Sequence, residues 1–133
     1  MLKNSLKLIL LFLIIIYSCE TRNKKKTKYE FLRNVSNDLN KKCPLQVDSI
    51  LRLENSVAFP PSTFRYNYIL KYDTIKYDIH QFEESLRITT LNNIKTNPDG
   101  KILKDLKTTF EFNYSDTLGN HLFRIVITPD DYE

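Results

Sequence analysis

The chain has 133 residues, 41% of them hydrophobic and 27% charged, which is room for one compact domain with a modest core. A large enzyme, a repeat array and a multi-span membrane protein are excluded. The formal charge of +4 is unevenly placed: Lys3 and Lys7 carry +2, residues 20–28 carry +4 through Arg22, Lys24, Lys25, Lys26 and Lys28 against Glu20, and residues 29–133 carry −2. Basicity therefore belongs to the N-terminal appendages and gives no support to a nucleic-acid partner.

Lys3 and Lys7 precede an unbroken apolar run from Leu8 to Tyr17, followed at once by Ser18, Cys19 and polar residues. A positive start, a short apolar stretch and a small residue before the break predict a secretory signal peptide over residues 1–18. The run falls short of the roughly 20 apolar residues that span a bilayer, and an uncleaved anchor from Leu2 to Tyr17 is the alternative. Ile16-Tyr17-Ser18-Cys19 resembles the lipobox of bacterial lipoproteins, with an aliphatic residue three positions before the cysteine and a small one directly before it. That resemblance implies removal of the leader, lipidation of Cys19 and attachment to a membrane through the N-terminal lipid, with no transmembrane helix.

Residues 19–28 then form the lipidated cysteine and a basic tether with no apolar side chain to bury. Its lysines suit anionic headgroups, at about 1 kcal/mol each on a strongly anionic leaflet, or serve as a solvated spacer. Abundant Lys, Asn, Ile and Tyr beside a cysteine-ending leader resembles lipoproteins of Bacteroidota. Surface-exported lipoproteins of that group carry acidic residues just after the cysteine. The basic tether here therefore implies the bacterial envelope at the periplasmic face of the outer membrane.

Residues 29–133 read as a single domain. Phe31, Leu32, Val35 and Leu39 fall at helical spacing, and Pro44 ends that helix near Lys42. Leu45, Val47, Leu51 and Leu53 alternate with polar residues and predict a strand, its pattern inverted at Ser49 and Ile50. Ala58 to Thr63, with Pro60 and Pro61, predicts a loop. The clearest period follows: Phe64, Tyr66, Tyr68, Leu70 and Tyr72 share one face of a strand. Asp78 as N-cap with Gln81 three residues on opens a helix carrying Ile79, Phe82, Leu86, Leu91 and Ile94, which stops before Asn97-Pro98-Asp99-Gly100. Ile102, Leu103 and Leu106 suggest a short helical turn. Phe110, Phe112 and Tyr114, a turn through Asp116 and Gly119, and Phe123, Ile125 and Ile127 make a closing hairpin. The acidic end, Pro129 to Glu133, is expected to fray.

The order α-β-β-α-β-β predicts an α+β two-layer sandwich, with an antiparallel sheet of about four strands and two helices on one face. Asn40-Lys41-Lys42-Cys43-Pro44, Val47-Asp48, Arg52-Leu53, Thr63 to Tyr68 and Lys95-Thr96-Asn97-Pro98 resemble a family of small bacterial envelope proteins. That family brings no assigned activity or ligand, so the resemblance bears on fold and location alone.

Chemistry is sparse. With Cys19 lipidated, Cys43 has no disulfide partner within the chain. It reads as a small buried side chain, with a reactive thiol or an intermolecular disulfide as alternatives. The sole bases of the imidazole type, His80 and His121, are not placed beside it by any spacing. No metal-ligand spacing, paired carboxylates or phosphate-cradling glycine loop occurs, and no cofactor is implied. The stripe Phe64, Tyr66, Tyr68 and Tyr72, with Arg65 and Lys71 between, is first of all a core face, and secondly a groove for a glycan, a peptide or a protein partner. The leading expectation is a non-enzymatic, lipid-anchored binding or accessory module with a protein or envelope-component partner. A thiol-dependent enzyme or redox partner using Cys43, and an immunity-type inhibitor of a toxin, are the alternatives.

Overall fold

A computed structural model describes residues 27–71 and 78–133. The first helix, α1, runs over residues 27–40 and ends in tight turns, with Lys42 N–H donating to Leu39 O and Cys43 N–H to Asn40 O. Its inward stripe differs from the apolar pattern. Leu32 and Ser36, one turn apart, are buried, while Phe31 is 38% exposed.

The strand expected from Leu45 onward is divided. β1 (Leu45–Gln46) and β2 (Leu51–Phe59) are joined by a turn in which Asp48 Oδ1 accepts from Ile50 N at 2.8 Å and Leu51 N at 2.9 Å. The inverted polarity at Ser49 and Ile50 marks that turn. β2 extends through Ala58 to Phe59, so the loop shrinks to the residues around the cis Pro60–Pro61 bond. A register shift between Leu53 and Asn55 inserts one residue, which turns both Leu53 and Ser56 toward the core.

β3 (Thr63–Leu70) leads, beyond residues 72–77, to α2 (Ile79–Thr96). Asp78 caps α2 as expected, but its carboxylate accepts from His80 N–H, not from Gln81. A 3₁₀ turn (Pro98–Gly100) and α3 (Lys101–Asp105) return the chain to β4 (Thr109–Ser115), which pairs with β5 (His121–Ile127). Asp116 holds the hairpin turn by accepting from Leu118 N and Asn120 N, and Gly119 takes the left-handed backbone (φ 87°) the turn requires.

The sheet has five strands in the order β1-β2-β3-β4-β5, and β3–β4 is parallel while the other pairs are antiparallel. The expectation of about four strands, all antiparallel, is corrected on both counts. A helix crossing between neighbouring strands brings the chain back in the same direction, so inserting α2 between β3 and β4 makes that pair parallel. The two long helices lie on one face, as expected: α1 meets the sheet where Ser36 bonds Ser56, and α2 packs against the aromatic cluster of β4 and β5.

The acidic end does not fray in this structure. Thr128 and Asp131 form a capping box for α4 (Pro129–Tyr132), and Tyr132 is buried with its hydroxyl donating to Thr108 O at 2.8 Å.

Candidate functional site

A groove of about 480 Å³ opens between α2 and the sheet. Its floor comes from β3 and β4, whose parallel register sets Tyr66 beside Phe112 and Tyr68 beside Tyr114. These rings stack across the strands, Tyr66–Phe112 at 5.2 Å and 10°, Tyr68–Tyr114 at 5.4 Å and 15°, and Tyr114 stacks in turn on Phe123 at 4.7 Å. Ring faces are thus spent on neighbouring rings, and the groove meets edges and hydroxyls. A base or sugar that needs an open aromatic face finds none offered by these pairs.

The wall is α2. Not one of its 18 residues is buried, and Leu86, Thr89, Thr90, Asn93 and Ile94 face the groove. Thr90 on the wall acts on the Tyr114 phenol, working against the rise that burial causes. Desolvation holds the phenols protonated: Tyr66 and Tyr114 are each pushed up to about 12, and Tyr68 is raised further, with Tyr114, Tyr66 and the nearby Cys43 adding to its burial. The groove also takes in Asp48 from the β1–β2 turn and Lys104 from α3. This mixture of apolar edges, hydroxyl donors, amides and one charge of each sign suits a peptide segment.

Of the residues singled out in the sequence, Tyr66 and Tyr68 lie together in the groove. Arg65 lies on the opposite face of β3, paired with Glu111 at 2.6 Å and set over the Phe59 ring at 4.5 Å. Tyr72 and Cys19 fall outside the described residues. Cys43 is a free, half-buried thiol at the end of α1, while His80 and His121 are exposed at the starts of α2 and β5. Among the described residues no group of three or more His, Cys, Asp and Glu could hold a metal ion, and no helix is long and apolar enough to cross a membrane.

Sequence reasoning missed the wall of the groove. Its trace was present: the apolar stripe of α2 is interrupted by Thr89, Thr90 and Asn93 between Leu86 and Ile94, where a helix packed flat on a sheet would carry apolar residues.

An α+β domain with a five-stranded mixed sheet and two long helices on one face is a fold shared with bacterial secretion-related proteins. A Pseudomonas aeruginosa protein described provisionally as secreted superposes with a TM-score of 0.71 at 7% identity, over 83% of this chain and 96% of its own. The pilotin EpsS of the Vibrio vulnificus type 2 secretion system gives 0.69 at 12% identity, over 84% and 96%. The type II secretion system pilotin AspS of Vibrio cholerae gives 0.65 at 15% identity, over 84% and 97%. Residues 24–123 match the family described as Domain of unknown function (DUF8479), and the chain belongs to that family. No functionally curated protein matches the sequence.

Proposed function

We propose that this chain is a lipid-anchored, non-enzymatic accessory protein of the bacterial envelope, attached through Cys19 at the periplasmic face of the outer membrane, that holds a segment of a protein partner in the groove between α2 and the sheet. The observation that carries the reading is the groove itself: an 18-residue amphipathic helix with no buried residue stands over a floor of tyrosine edges and protonated phenols. A partner segment laid there would complete the burial that α2 lacks within its own domain. The pilotins of type 2 secretion systems share this fold and support a role of the same accessory kind.

The test fills the groove from its exposed wall. Asn93 is exposed, lines the groove and has no part in the core, so Asn93→Trp blocks the site without disturbing the floor. A partner that co-purifies with the wild-type chain from native membranes is expected to be lost with Asn93→Trp and retained with Arg124→Trp, on the far side of the sheet. Retention with both variants would contradict the groove as the docking site.

A further inference from the structure

α1 enters the domain beside α3. Lys28 Nζ donates to the carbonyl of Leu106, the residue capping α3, at 3.1 Å, and Ser62 Oγ reaches the same carbonyl at 3.2 Å. The described chain therefore begins, at Thr27, with Lys28 held against the end of α3. From Cys19 to Lys28 is nine residues, at most about 30 Å when extended.

α3 itself is short and two-sided. Leu103 packs against the core, while its neighbour Ile102 stands 60% exposed. Lys101, Lys104 and Lys107 flank it. Lys101 pairs with Asp105 and Lys107 with Glu133, both as exposed pairs, Lys104 donates to the Lys95 carbonyl, and Asp99 is the other carboxylate close by in sequence. The tether adds Arg22, Lys24, Lys25 and Lys26 directly upstream. An exposed isoleucine among lysines, at the point where a lipid tether would attach, has the chemistry of an interfacial membrane contact: apolar side chain into the headgroup–acyl boundary, ammoniums on phosphates.

We propose that α3 is a foot on which the anchored domain rests against an anionic lipid surface, with Ile102 inserted and Lys101, Lys104 and Lys107 on headgroup phosphates. The inference rests on the lipid anchor at Cys19. Its consequence is a fixed posture: the Lys104 side of the groove faces the membrane and the β1–β2 and β4–β5 turns point away from it.

The chain has no tryptophan, so one introduced residue is the sole indole emitter. The acylated mature protein, residues 19–133, is reconstituted into vesicles of phosphatidylethanolamine with a minority of phosphatidylglycerol, some containing brominated acyl chains. Two variants are compared: Ile102→Trp, and Leu118→Trp at the 86%-exposed tip of the β4–β5 turn. Flotation with the vesicles is expected for both. Brominated lipid is expected to quench Ile102→Trp by about half, as for a side chain 5–10 Å into the boundary, and to leave Leu118→Trp unchanged. Reversing Lys101, Lys104 and Lys107 to Glu should abolish that quenching without loss of flotation. A chain that floats while position 102 is not quenched, or is quenched no more than position 118, overturns the foot and leaves the anchor standing. A chain that does not float overturns both.

Discussion

Tyr66 offers the groove a hydroxyl because its ring face is already occupied by Phe112, and Tyr68 does the same against Tyr114. Phenols are protonated throughout the physiological range and so act as donors there, and burial extends that state well above pH 10. The sign of the pH effect follows. Below pH 10 both folded and unfolded chains hold the phenolic protons and stability is complete; from 10 toward 12 the unfolded chain releases protons that the folded chain retains, and stability falls. Phenolate absorbance should show a late-titrating subset of the eight tyrosines in the folded chain, and a single transition near 10 in denaturant. One common transition in the folded chain would contradict the buried floor. Alternation made Tyr66 and Tyr68 legible in the sequence as one face. Their partners were not, because the register with Phe112 and Tyr114 comes from a parallel pairing between strands that α2 separates in sequence. Ser36 and Ser56, buried and bonded to each other, were hidden for another reason: a polar pair satisfied across 20 residues looks like surface in any local window.

Both edges of the sheet have backbone groups closed by side chains, on β2 where it outruns β1 and on β5. β1 covers β2 only at Leu53 and Arg52, and at Ser56 the amide of Asn40 takes its place: Nδ2 donates to Ser56 O at 2.9 Å and Oδ1 accepts from Ser56 N at 2.7 Å. On β5, Arg87 Nη1 donates to Val126 O at 3.0 Å, and Asp131 accepts from Thr128 N just beyond the strand. An open edge is a template for unwanted pairing, and these contacts close it in part. Asn40→Ala leaves the largely covered Ser56 N–H without its partner, while Ser36 Oγ still donates to the Ser56 carbonyl, and should cost about 1–3 kcal/mol in urea unfolding. A loss within the ~0.5 kcal/mol of an ordinary surface substitution would show that the amide is not closing the edge. At this scale the long elements were readable: α2 from Asp78 to Asn97, β3, and the β4–β5 hairpin. The short ones were not. A two-residue β1 lies below any periodic signal, and the Thr128 to Asp131 box sits at a chain end whose two aspartates read as solvated.

Across the whole molecule, the two long helices share one face but bury differently. α1 is fixed by fully buried Leu32 and by the Ser36 and Asn40 bonds to β2, whereas α2 leans on the aromatic cluster through partly buried Ile79, Phe82, Leu86, Leu91 and Ile94. One helix belongs to the core and the other borders an opening. The tether's point of entry beside α3 sets which side of that opening faces the lipid under the anchored reading. Charge placement along the sequence already separated a basic N-terminal region from a mildly acidic domain, and the fold adds a peptide-sized groove to that domain. The measurement that tests this most directly is site-specific photo-crosslinking in intact cells, with the reactive side chain placed at Asn93 in the groove or at Arg124 across the sheet. A discrete adduct with one envelope protein from position 93, and none from position 124, is the expected result. No adduct at 93, or the same adduct from both positions, would contradict the groove as the site where this protein meets its partner.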